Sequence, residues 1–166
     1  MKNECVFSND RKYRYVLKHS WLDMFDTEEK SIVWIALNPS TADEDQLDPT
    51  LTRIRNFSSD NGFNSFYMLN LFAYRATNPK DMLSQVDPIG IDNDYWINKI
   101  CHENSLVVCC WGVLGNHLNR QNNVLNLIKD CDLRYLELSK DGIPKHPLYL
   151  KSSCILKRFN NYEFQI

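Results

Sequence analysis

An α/β domain with a mainly parallel sheet is the fold class this sequence predicts, and three observations predict it. Four apolar runs recur along the chain, at 31–37, 65–72, 105–111 and 133–139. Residues at helical spacing separate most of these runs, and strands alternating with helices in this way pair in parallel through crossover connections. Finally, 166 residues with 43% hydrophobic content suffice for one core. The expectation is a single domain over 1–166, with a four-stranded, mainly parallel sheet flanked by helices and an N-terminal β-hairpin.

The elements follow in order. Residues 4–8 and 12–18 flank the turn-rich "SNDR" and suggest a hairpin ahead of the main fold. After the polar linker "DTEEKS", the run "SIVWIAL" is continuously apolar, the signature of a central strand buried on both faces. Asp48 precedes Pro49 at a first helical position, and Leu51, Ile54 and Phe57 carry the helix to "DNG". "SFYMLNLF" is the second strand, and a long connection over 73–90 leads to a helix over 92–103. "SLVVCCW", a helix over 121–131 and "LRYLELS" complete the alternation.

Composition narrows the function. No run approaches the ~18 apolar residues of a membrane span, and "MKNECVFSND" lacks the pattern of a secretory signal, so a cytoplasmic protein without membrane contact is expected. The six cysteines contain no C-x-x-C pair and no nearby histidine at zinc spacing, so they read as buried, reduced thiols, with no metal or cofactor expected. Adjacent Cys109 and Cys110 should face opposite sides of a strand. The net charge of −2 argues against strong non-specific binding to a polyanion. Acidic side chains gather at Asp43, Glu44, Asp45 and Asp48, and basic ones over 140–158.

In open parallel sheets ligands bind beyond the carboxyl ends of the strands, where the strand order reverses. The candidate residues therefore lie at the four strand exits. At the first, Asn38 offers one acceptor and two donors, Pro39 fixes the turn, and Ser40 and Thr41 suit an anion; equally, Asn38 and Ser40 serve simply to satisfy a sharp turn. At the second, Asn70 interrupts an apolar strand, and it either caps a neighbouring loop or points into the crevice. Phe72 and Tyr74 offer stacking faces and Arg75 a bidentate fork, with core packing the simpler role for the aromatics. Trp111 and Gly112 read as a tight turn under an indole. His146, in "PKHPLYL", sits on a loop partly locked by prolines and is the candidate polar catalyst. Lys145, Lys151 and Arg75 are expected to make the crevice mouth locally positive.

Taken together, "YRY", "LNPSTAD", "NLFAYRAT" and "PKHPLYL" resemble a family of bacterial and phage proteins known as a domain of unknown function, over roughly residues 13–151. A more distant resemblance is to the uracil-DNA glycosylase superfamily. There the same strand exits carry a D-P or N-P turn, an "LLLN" strand end, an "LLWG" strand end and an "HPSPL" loop. This chain has Asn38-Pro39, "MLN" ending at Asn70, "CCWG" ending at Gly112, and His146-Pro147. The resemblance implies that Asn38 orients the attacking water, that Asn70 reads a nucleobase edge and that His146 stabilises the departing base. Tyr149 and Lys145 would flank the substrate beside it. Leu148 and Tyr149 depart from the "HPSPL" pattern, and the acidic loop after Pro39 would repel a phosphate backbone.

The resulting expectation is a hydrolase of N-glycosidic bonds acting on a nucleobase in a nucleotide or nucleic acid, presented single-stranded or flipped out of a duplex. The alternative is a non-catalytic module that binds a nucleotide or base in the same crevice, because asparagine is a poor general base. A metal-dependent hydrolase built on Asp43, Asp45 and Asp48 ranks third.

Overall fold

The computed structural model describes residues 2–41 and 47–159. Among these, β1 (Lys2–Phe7), β2 (Arg14–Ser20), β3 (Ser31–Ala36), β4 (Ser65–Asn70), β5 (Val107–Cys109), β6 (Leu133–Tyr135) and β7 (Lys157–Arg158) form one sheet. Its order is β1-β2-β4-β3-β5-β6-β7. The strands β4, β3, β5 and β6 run parallel, whereas β2 joins β4, and β7 joins β6, antiparallel.

The four anticipated strands thus make the parallel centre, but the sheet is mixed and has seven strands, not four. The hairpin is the main reason. Tyr15, Val16 and Leu17 of β2 are buried, and this burial follows from docking on the sheet edge, where Leu17 pairs with Met68. The hairpin is therefore part of the sheet rather than a unit ahead of it. At the other edge β7 has two residues, paired with Arg134 and Tyr135, too few to leave a period in the sequence.

Strand β3 is central, as its composition requires. Ile32, Trp34 and Ala36 pack on one face with Leu51, Ile54 and Phe57 of α1 (Pro49–Asp60). Val33 and Ile35 pack on the other with Ile97, Ile100 and Cys101 of α3 (Asn93–Glu103) and Val124 of α4 (Arg120–Leu127). Both faces are covered, so no polar alternation survives in the strand. The buried Trp34 indole donates to Ser58 Oγ at 3.0 Å, and that hydroxyl donates to the Ile54 carbonyl at 2.7 Å.

Helix α1 begins where Asp48 and Pro49 predict. Asp48 Oδ1 accepts from the Leu51 amide at 2.8 Å, and Pro49 occupies the first turn, where its missing N–H leaves no bond unmade. The connection over 73–90 holds a short helix, α2 (Pro79–Leu83), whose five residues are too few to show a helical period in the sequence. Leu118 and Asn119 adopt positive φ in the 3-10 turn Val113–Asn119 before α4. All six cysteines are free; Cys101, Cys109 and Cys110 are buried, whereas Cys5, Cys131 and Cys154 are only half-buried. Cys109 and Cys110 belong to opposite faces of the sheet. No helix among the described residues is long and apolar enough to cross a membrane.

Candidate functional site

The chain runs from β3 to β4 on one side and then returns to place β5 on the other, so the strand order reverses at β3. At the carboxyl ends of these strands lies a cavity of ≈ 180 Å³ whose lining includes Asn38, Asn70, His146, Asp48, Arg14 and Trp111. All four exits named from the sequence meet there, through Asn38, Asn70, Trp111 and His146.

Asn70 reaches the cavity through the pleat of β4. Phe66 and Met68 bury the same face against α1, and Asn70 is the next position on that face, opposite Ala36. The residue is 1% exposed, yet among the described residues neither atom of its amide has a hydrogen-bond partner. Buried polar side chains are nearly always partnered, so this is the exceptional group of the site. The main chain behind it is firmly held. The Asn93 amide donates to the carbonyls of Asn70 and Leu71 at 3.1 and 3.0 Å, and the buried Arg120 Nε donates to the Leu71 carbonyl at 2.7 Å.

Asn38 is half structural. Its Nδ2 donates to the Ala76 carbonyl at 2.8 Å and to that of Pro39 at 3.2 Å, tying the exit of β3 to the segment after β4. Those bonds set the orientation of the amide and leave its Oδ1 as the acceptor available to a ligand or water. Pro39 and Ser40 also line the cavity.

His146 arrives on a loop suspended between two strand exits. The Gly112 amide donates to the Pro144 carbonyl and the Lys145 amide to the Glu137 carbonyl, both at 2.8 Å. Gly112 makes this possible at φ +75°, a conformation that strains any residue with a Cβ. The imidazole Nδ1 accepts from the Leu148 amide at 3.3 Å, which puts the ring proton on Nε2. Burial holds the His146 pKa below its ordinary value, with the Asp48 carboxylate acting weakly in the opposite sense. The group is a neutral hydrogen-bond donor at pH 7.

Three lining residues were not picked out as ligand contacts. Arg14, 5% exposed, is set at the start of β2 by a 2.9 Å bond from its amide to the Ala73 carbonyl. Its only sequence signal is a cation directly ahead of the apolar run of Tyr15, Val16 and Leu17. The sequence marks Asp48 as the start of a helix and as a metal ligand with Asp43 and Asp45, and those two partners lie outside the described residues. Among the described residues no group of three or more His, Cys, Asp or Glu is placed to hold a metal ion. Trp111 lines the cavity with its indole N–H bonded to Gln121 Oε1 at 3.1 Å. Gly115 lets the following turn pass the indole, since a Cβ there would lie 2.3 Å from the ring.

Several other candidates fall outside the cavity lining. Phe72 is fully buried in the core beside His117, because the chain turns inward after Asn70. Tyr74 packs edge-on against Tyr13 at 5.7 Å. Arg75 lies 5.1 Å from the Phe7 ring and donates to the Arg11 carbonyl. Thr41 bonds Thr77, Lys145 pairs with Glu137, and Tyr149 and Lys151 are exposed. Gly112 shapes the loop without lining the cavity. The cation on the cavity wall is Arg14, and Arg75, Lys145 and Lys151 are not among the lining residues.

A mixed α/β protein with a cavity of mixed polar and apolar lining at the strand-order reversal is the class that this fold and site define. The chain belongs to the family described as proteins of unknown function, DUF1643, which it matches over residues 14–148. No curated protein and no solved structure matches it.

Proposed function

We propose that the protein hydrolyses the N-glycosidic bond of a nucleobase carried by a nucleotide or a nucleic acid. The observation that carries the reading is the buried Asn70 amide, unpartnered at both atoms among the described residues, in one cavity with Asn38 and His146. A planar group with a donor beside an acceptor matches the amide-like edges of nucleobases, and a base entering the cavity would satisfy it. The cavity is smaller than the several hundred Å³ of a site that engulfs a whole drug-sized ligand. It suits the insertion of a base, with the sugar outside.

The other two residues supply what glycosidic cleavage needs. Breaking the bond leaves an electron-poor sugar and an anionic base. His146 Nε2–H is a preorganised neutral donor for that anion, and Asn38 Oδ1 is an acceptor that orients water. The order of the strand exits, which resembles that of the uracil-DNA glycosylase superfamily, supports the same assignment. The departures at Leu148 and Tyr149, together with the acidic side chains after Pro39, favour a free nucleotide or an extruded base over an intact duplex.

The test is to incubate the protein with uracil-, hypoxanthine- and modified-base nucleotides and oligonucleotides, reading free base by chromatography and abasic sites by alkali cleavage. Base release is expected from at least one member. His146→Ala should lose about 10²- to 10³-fold in turnover, the usual effect of removing one such donor, and Asn70→Ala should change which base is accepted. Measurable binding without release of base from any member would replace this reading with a nucleotide-binding module.

A further inference from the structure

Water activation is the step that Asn38, Asn70 and His146 leave without a residue. An amide does not take up a proton at neutral pH, so Asn38 orients water without deprotonating it. His146 has its Nδ1 lone pair engaged by the Leu148 amide and its proton on Nε2, so it has no free base site. Arg14 stays charged and cannot accept a proton. Among the described side chains of the cavity wall, Asp48 alone is a carboxylate.

Asp48 is held rigidly for such a task. Its Oδ1 accepts from the Leu51 amide at the start of α1, and that bond uses one carboxylate oxygen. Among the described residues Oδ2 has no hydrogen-bond partner. The capping bond by itself would make Asp48 an ordinary helix cap. What points to a ligand is that the same cavity wall carries the buried, unpartnered Asn70 amide.

We propose that Asp48 is the general base of this site, taking a proton from the water that Asn38 Oδ1 orients. The role rests on the N-glycosidic hydrolase reading. The water oxygen bonds to the anomeric carbon as the carbon–nitrogen bond breaks, and the bonding pair leaves with the base. His146 Nε2–H stabilises the resulting anion, Asp48 Oδ2 receives the water proton, and that proton passes on to the released base. One water is consumed, and a free base and a sugar hydroxyl are formed, with no oxidant or cofactor in the balance.

Asp48→Asn separates the two roles, because asparagine caps a helix as well as aspartate but is not a base. With the full chain and the panel member that the wild type cleaves fastest, kcat should fall about 10²- to 10³-fold while KM stays within about threefold. Asp48→Ser, also a capping residue, should behave alike, and added formate, a diffusible carboxylate, should restore part of its turnover. A structural cap would not respond to formate. Turnover of Asp48→Asn within about threefold of wild type would overturn the role of Asp48 and leave the hydrolase reading standing. Absence of base release by the wild type from every member would overturn both.

Discussion

Replacing Asn70 by leucine should stabilise the fold while abolishing the activity. The amide is buried with both donor and acceptor unsatisfied, and leaving such a group unpartnered costs about 1–3 kcal/mol. Leucine branches at Cγ as asparagine does, lacks the polar atoms, has the adjoining cavity to take up its extra methyl volume, and would continue the apolar column of Phe66 and Met68 against Ala36. Asn70→Leu should therefore gain about 1–3 kcal/mol, the penalty removed. For a chain of this length that raises Tm by about 2–4 °C per kcal/mol. Urea unfolding gives the gain directly, with an unchanged m-value showing that the native state keeps its compactness. Base release or nucleotide binding should be lost in the same variant, a trade of activity for stability that functional polar groups commonly show. A loss of about 1 kcal/mol or more on substitution would refute the reasoning, because it would mean that the amide already has the partners a structural group needs.

Two further outcomes test the packing. Burial lowers the pKa of His19, with the Arg55 charge adding to the effect, and burial lowers that of His146 against Asp48. Unfolded histidine, near pH ~6.5, then binds protons before the native rings do, so stability should decline as pH falls below about 6.5. The stability contributed by the Asp132 carboxylate, whose pKa is held low chiefly by its hydrogen bond from Arg134, should be lost only below about pH 4. His19→Phe, placed between the rings of Trp21 and Phe66, should flatten Tm between about pH 7.5 and 5; an unchanged slope would show that His19 is not a source of the dependence. Ser58→Ala should destabilise by about 1–3 kcal/mol in urea unfolding by leaving the buried Trp34 indole N–H without its acceptor, and a neutral result would show that the indole finds another.

Local chemistry was enough to place most of the elements. The runs around Ile32, Phe66, Val107 and Leu133 are strands because continuous apolar sequence suits a sheet covered on both faces. The Asp48-Pro49 pair marks the start of α1 by satisfying or removing orphan amides. Asn38, Asn70 and His146 stood out for a related reason: the two amides are polar just where an apolar strand ends, His146 lies on a proline-flanked loop after another, and strand exits are where a parallel sheet offers a crevice. Tertiary structure decided the remainder. That β2 joins the sheet depends on an edge of β4 distant in sequence, and a two-residue β7 has no period to read. Phe72 and Arg75 have the right chemistry but the wrong direction, because the turn after Asn70 sends one into the core and the other over Phe7. Arg14 and Asp48 join the cavity through the docking of β2 and the angle of α1, and sequence spacing carries neither. Residue type is a local property, whereas which groups share one volume is set by packing between elements far apart along the chain.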